Sequence, residues 1–256
     1  MSRKTLQILN VLGLVLVLVF NTLANALPIN GYTTGELSAL YPNLFVPAGF
    51  TFGIWGLIYL LLLGFVVYQF TRPAVEAGVP QRIGPWFFLS CLFNASWILA
   101  WHYLLPGLSL LVMLALLGSL VLIYRRVYAA PALEAGGARW WVELPFSVYL
   151  GWITVATIAN ATAVLVALGW NGGGIPESAW TVAMIAVAAG MGLWFTWRQG
   201  DLFYPLVVAW ALVGIIARRS SDAAETAYPA IVFAAAAGIG LLVASVIRNA
   251  LRGGNR

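Results

Sequence analysis

The stretch Leu108–Tyr128, LSLLVMLALLGSLVLIYRRVY, runs from Leu108 to Tyr124 without a charge and meets its first charged side chains at Arg125 and Arg126. A bilayer core about 30 Å thick needs roughly 20 residues of helix at about 1.5 Å each, so this run has the size of a span. Runs of similar kind precede and follow it: Leu6–Ala24, Phe50–Phe70, Pro85–Leu105, Val142–Leu168, Ala179–Trp197, Leu202–Ala217 and Tyr228–Ile247. The chain is 8% charged and 62% hydrophobic, a balance that a water-soluble domain of this length could not carry without aggregating. The runs are apolar all round, with none of the alternation of barrel strands, which indicates helices packed in lipid. The expected fold class is all-α, a polytopic transmembrane helix bundle of about eight helices.

Cytoplasmic loops of membrane proteins are enriched in Lys and Arg. With the N-terminus inside, Arg3, Lys4, Arg72, Arg82, Arg125, Arg126, Arg139, Arg198, Arg248, Arg252 and Arg256 are cytoplasmic, and Arg218 and Arg219 fall outside. Both termini are then cytoplasmic, and the expected location is the bacterial inner membrane. The shortest run, Leu202–Ala217, decides between seven and eight spans. The net charge of +5 is an orientation signal and not a nucleic-acid footprint, because the basic residues are scattered over several loops. Arg3, Lys4 and the Ala24-Asn25-Ala26 sequence also fit a signal peptide, but the apolar stretch has the length of a retained helix.

Acid–base catalysis needs converging titratable groups, and an ion path needs them at membrane depth. Here Glu36, Glu177, Asp222 and Glu225 lie in outer loops, Glu76 and Glu134 in inner loops, and Glu143 and Asp201 at helix starts, where carboxylates cap. The lone His102 reads as an interfacial polar residue before a metal ligand, and the lone Cys91 as a small buried one. No metal site and no cofactor is expected. The loop Asn25–Gly49 is long and nearly uncharged, with turns at Pro28, Asn30-Gly31, Gly35, Pro42 and Pro47, so it reads as a structured cap, either a connector or a lid. Ala186 and Gly190, Ala188 and Gly192, and Ala234 and Gly238 are each four residues apart, suited to close helix approach within the chain or in a homodimer.

Aromatic residues carry the functional signal. Of the 12 Trp residues, Trp86, Trp140, Trp141, Trp170, Trp180, Trp194 and Trp197 fall near expected interfaces, where indoles anchor. Trp55, Trp97, Trp101, Trp152 and Trp210 lie deeper; Trp97 is about 18 Å of helix from Pro85. Asn94, Trp97 and Trp101 share one helical face, Tyr149, Trp152, Ala156 and Asn160 a second, and Phe52, Trp55 and Tyr59 a third. Converging, these faces would line an uncharged aromatic pocket for a flat apolar ligand; packed on each other, they would be a dry core. Spacing alone supports both readings.

Three segments, Gly53-Ile54-Trp55-Gly56-Leu57-Ile58-Tyr59, Asn94-Ala95-Ser96-Trp97 and Tyr149-Leu150-Gly151-Trp152 through Asn160, occur in separate runs in a fixed order. In this the chain resembles the TspO/MBR family, the tryptophan-rich sensory or translocator proteins, whose five-helix bundle binds porphyrins and other apolar ligands such as sterols. The resemblance covers residues 1–168 and implies a ligand cavity at Trp55, Tyr59, Asn94, Trp97, Trp152, Ala156 and Asn160, to which shared helical faces add Trp101 and Tyr149. Residues 169–256 then form three additional transmembrane helices. Two family features are absent: the Pro-Pro-x-Trp motif, replaced by Val46-Pro47-Ala48-Gly49-Phe50, and the sterol motif after Asn160, replaced by Ala161-Thr162-Ala163-Val164. The leading expectation is a receptor or carrier for a planar apolar molecule such as a porphyrin. A transporter or permease subunit ranks second, since no repeat or deep charge is visible, and a porphyrin-modifying enzyme third.

Overall fold

The structure, a computed structural model, describes residues 1–27, 29–128, 136–221 and 228–253; Pro28, Glu134, Asp222, Glu225 and Arg256 lie outside these. Eleven α-helices and no strand occur among the described residues. They are α1 (Arg3–Ala26), the short α2 (Thr34–Ala39), α3 (Ile54–Tyr68), the short α4 (Arg72–Glu76) and α5 (Val79–Ile83), then α6 (Trp86–His102), α7 (Pro106–Val127), α8 (Leu144–Ala167), α9 (Glu177–Gln199), α10 (Tyr204–Ser221) and α11 (Pro229–Gly253). Each of the eight apolar runs is a long helix. Among the described residues, six segments are long and apolar enough to cross a membrane: Arg3–Ala26, Gly49–Tyr68, Pro106–Val127, Arg139–Ala167, Glu177–Gln199 and Pro229–Leu251. Helix α6, with 17 residues, is largely buried, and a helix enclosed by its neighbours does not itself need a full lipid-spanning length.

The chain divides into two compact units, Met1–Leu37 with Ile54–Ile153, and Ser38–Gly53 with Thr154–Arg256. In the first unit α6 packs on α1 and α7. Phe65, Phe87 and Phe146 form a triangle of edge-to-face rings with centroids 4.9–5.8 Å apart, all three fully buried. Polar ties supplement the packing, because in lipid the hydrophobic effect does not hold helices to each other. Gln7 Nε2 donates to the Gln69 carbonyl at 2.8 Å, and Asn10 Nδ2 to Gln69 Oε1 at 2.9 Å. The Arg126 guanidinium lies 5.9 Å above the Trp86 ring.

In the second unit α9, α10 and α11 pack on one another. Ala188 and Gly192 are buried there, with the Leu242 side chain over Gly192 and that of Leu212 against Gly238. Ala186 and Gly190 are exposed instead. Asp201 caps α10, accepting from the N–H groups of Phe203 at 2.8 Å and Tyr204 at 3.2 Å.

The loop 25–49 is ordered by its own polar residues. Within the first unit, Asn30 Nδ2 donates to the His102 carbonyl at 3.0 Å. Thr33 and Glu36 form a reciprocal capping box on α2: the Thr33 N–H donates to Glu36 Oε2 at 2.7 Å, and the Glu36 N–H to Thr33 Oγ1 at 3.3 Å. Within the second unit, Asn43 Oδ1 accepts from the N–H groups of Phe45 and Val46, Leu44 N–H donates to Glu177 Oε1 at 2.8 Å, and Ala48 N–H donates to the Gly214 carbonyl at 3.0 Å.

The backbone N–H of Thr33, and then its hydroxyl, hold the Glu36 carboxyl below its ordinary value. A lowered folded value means the cap is fully formed above the ordinary carboxylate pKa and is lost as pH falls through the lowered one. Protection of the Thr33 amide from hydrogen exchange, referred to the free-peptide rate at the same pH, is expected to fall over that acidic window in the wild type. In Glu36→Gln it should lose this pH dependence; an acid-induced loss of protection that persists in the variant would show that another group controls it.

Candidate functional site: an aromatic cluster and a separate cavity

The first unit brings together seven of the nine residues singled out from sequence. Trp55, in the first turn of α3, stands at the centre, with Tyr59 stacked one turn on at 5.5 Å between centroids. From α6, Trp97 lies near-parallel to Trp55 at 6.5 Å, and Trp101 stacks on Trp97 at 6.3 Å. From α8, Tyr149 and Trp152 approach Trp55 edge-on at 6.0 and 6.3 Å. Such separations and angles are those of rings in direct contact, the packed one of the two arrangements that the spacing allowed.

Asn94 fixes the cluster. It is fully buried, donates through Nδ2 to the Tyr149 hydroxyl at 3.0 Å, and accepts at Oδ1 from Asn21 Nδ2 at 2.8 Å. Asn21, on α1, is a site neighbour that the aromatic pattern did not nominate; an amide inside an apolar run is the signal that marks it. The Tyr59 hydroxyl and Trp97 Nε1, both buried in the cluster, have no hydrogen-bond partner. The other two nominated residues, Ala156 and Asn160, lie one and two turns beyond Trp152 on α8, within the second unit; Ala156 is half-buried and Asn160 buried.

His102 is fully buried rather than interfacial, its Nδ1 within 2.9 Å of the Ile98 carbonyl. Among the described residues no group of three His, Cys, Asp or Glu is placed to hold a metal. Of the other Trp residues, Trp140, Trp194 and Trp197 are well exposed, as interface anchors are, whereas Trp210 donates to the Thr51 carbonyl at 3.0 Å and so holds the loop to α10.

The second unit contains a cavity of about 660 Å³ that the sequence did not announce. Phe45 covers it from the loop, Thr157, Ala161 and Thr162 line it from α8, and Trp180 and Met184 from α9. Successive residues turn by about 100° around a helix, so Thr157 and Ala161 face aside from the stripe of Ala156 and Asn160. Glu177 and the Trp180 indole, which donates to the Gly172 carbonyl at 2.9 Å, belong to the same lining.

This fold, with its apolar helices and buried aromatic cluster, defines a polytopic α-helical integral membrane protein whose second unit contains a cavity. A family model described as "TSPO-like protein" matches residues 7–248, nearly the whole chain, and the protein belongs to that family. The match continues past residue 168, where the motifs of the first five runs stop, through α9, α10 and most of α11. No curated protein and no solved structure matches the chain.

Proposed function

We propose that this protein is a membrane receptor or carrier for a planar, largely apolar small molecule such as a porphyrin, bound against Trp55, Tyr59, Trp97, Trp101 and Trp152 and framed by Asn94 and Tyr149. The observation that carries the reading is the pair of buried donors without partners, Tyr59 O–H and Trp97 Nε1–H. A buried polar group left unsatisfied costs about 1–3 kcal/mol, so a ligand acceptor that reaches these two donors recovers a penalty the folded chain already carries. Near-parallel indoles at Trp55, Trp97 and Trp101 supply flat faces, and the rings now in contact would part or offer their outer faces to the guest. Ala156 and Asn160 extend the same helical face of α8. A position in the bacterial inner membrane with both termini in the cytoplasm fits the distribution of arginines. A homodimer would have the exposed pair Ala186 and Gly190 available to it.

The open volume favours a second location for the same ligand, the cavity between loop residue Phe45, α8 and α9. Quenching of Trp emission by protoporphyrin in nanodisc-embedded protein separates the two. Trp97→Phe keeps a ring but removes the donor, and is expected to weaken binding about fivefold, as one hydrogen bond is worth about 1 kcal/mol. Asn94→Ala should weaken it by a similar factor, while Ala161→Trp, which fills the cavity, leaves it unchanged. The opposite pattern places the ligand in the cavity; no quenching in the wild type removes the proposal. Uptake of porphyrin into proteoliposomes containing this chain alone would make it a transporter rather than a sensor.

A further inference from the structure

Where α9 and α11 both end, the second unit carries another recess, about 320 Å³ in volume, lined by Trp197, Ser245, Arg248 and Asn249. Asn249 Nδ2 donates to the Thr196 carbonyl at 3.1 Å and pins the two helix ends together. Ser245 is only 6% exposed, yet its Oγ has no hydrogen-bond partner. Arg248 is exposed and makes no ion pair among the described residues, and Asp201, at the same end of α9, uses Oδ1 to cap α10. Trp197 is 65% exposed beside them.

We infer that this recess binds the phosphate of an anionic phospholipid, with the acyl chains lying along the exposed side chains of Leu241, Ala244 and Ile247 on α11. The guanidinium fork matches two phosphate oxygens, the Ser245 hydroxyl supplies a third donor, and the indole of Trp197 sits where rings settle at headgroup depth. Basic recesses between membrane helices suit anionic headgroups. The commonplace role for Arg248, answering the carbonyls at the end of α11, leaves the buried Ser245 hydroxyl without a partner. Helix C-termini are negative poles, so the backbone repels an anion here and the side chains must hold it, which makes the site depend on the arginine. A lipid is the favoured source because the recess opens beside exposed apolar side chains of α11, at the level where they give way to charge.

Native mass spectrometry of the purified full chain tests this, after incubation with phosphatidylglycerol, phosphatidylcholine or inorganic phosphate. Wild type is expected to retain phosphatidylglycerol about fivefold more than phosphatidylcholine, the contribution of one arginine at a membrane surface. Arg248→Gln should bring retention down to the phosphatidylcholine level, and Ser245→Ala should lower it by a smaller factor. Both should keep the wild-type unfolding temperature, since one residue is exposed and the other loses only an unpartnered hydroxyl. Equal retention of the two lipids by wild type overturns the inference, as does a preference that survives both substitutions. Displacement of phosphatidylglycerol by excess inorganic phosphate also overturns it and assigns the recess to a soluble anion.

Discussion

Gly214→Val is expected to lower the apparent unfolding temperature of the purified protein by roughly 5–10 °C, the size of an overpacking penalty of about 2–3 kcal/mol in a chain this long. The glycine is required by a close backbone approach. Ala48 N–H donates to the Gly214 carbonyl at 3.0 Å, which brings loop residues 47–51 onto α10. A Cβ at residue 214 would collide with the Thr51 side chain and come within 2.8 Å of Pro47 Cβ. Thr51 is fully buried beneath this contact, and Trp210 holds the same segment through the Thr51 carbonyl and an edge-on contact with Phe50 at 5.5 Å. Neither helix nor loop can move aside without breaking one of these bonds. Gly190→Ala is the control, because nothing lies within 4 Å of a Cβ there, and it should be neutral. A smaller lesion, Gly214→Ala, should be partly relieved by Thr51→Ala, since the Thr51 hydroxyl has no hydrogen-bond partner to lose. Thermal circular dichroism in detergent measures all four, and an unchanged unfolding temperature for Gly214→Val would show that the loop is not docked on α10. The same loop carries Phe45 over the large cavity, so Gly214→Val should also weaken whatever binds there.

The helices were legible because lipid leaves the sequence little choice. An apolar run of roughly 20 residues between charges has one stable form in a bilayer, with every backbone polar group bonded internally. That logic weakens for α6 and α10, which fall outside the six spanning segments by size and composition, since protein neighbours can replace lipid around them. The aromatic cluster was legible for a related reason: Asn94, Trp97 and Trp101 repeat at three and four residues, and that period survives folding as a shared face. What spacing could not supply was the separation of the faces. Ring contacts at 5.5–6.5 Å between Trp55 and its four neighbours depend on how α3, α6 and α8 pack, which no local pattern encodes. The cavity was hidden more completely, because its α8 wall is Thr157, Ala161 and Thr162, small residues that attract no notice beside a tryptophan stripe. Glu177 shows the same limit. Read from the sequence as an outer-loop residue it suggested nothing, but as the first residue of α9 it receives the Leu44 N–H and so ties the loop at the cavity.

Gln69→Leu is expected to destabilise the first unit by about 2 kcal/mol, because two side-chain hydrogen bonds disappear and buried partners are left behind. Gln69 follows the last residue of α3, where helix carbonyls lack intrahelical donors. Its own carbonyl is answered by Gln7 Nε2 from α1, while its side chain accepts from Asn10 Nδ2 and donates to the Gln7 carbonyl at 3.3 Å. Gln7, Asn10 and Gln69 are all buried, and Asn10 Oδ1 already lacks a partner, so loss of Gln69 would leave the Asn10 amide wholly unsatisfied. Replacing Asn10 as well, in Asn10→Leu with Gln69→Leu, should recover much of the loss, since an apolar pair carries no unmet hydrogen bond. Gln7, Asn10 and Asn21 place polar groups along α1, two toward Gln69 and one toward Asn94. The two ties are about 16 Å apart along α1, from Asn10 to Asn21, and only the second touches the aromatic cluster. Gln69→Leu should therefore lower the unfolding temperature while leaving protoporphyrin quenching at its wild-type affinity, whereas Asn94→Ala should change both. A Gln69→Leu protein that unfolds at the wild-type temperature would show that packing alone, without the buried amides, holds α1 against α3.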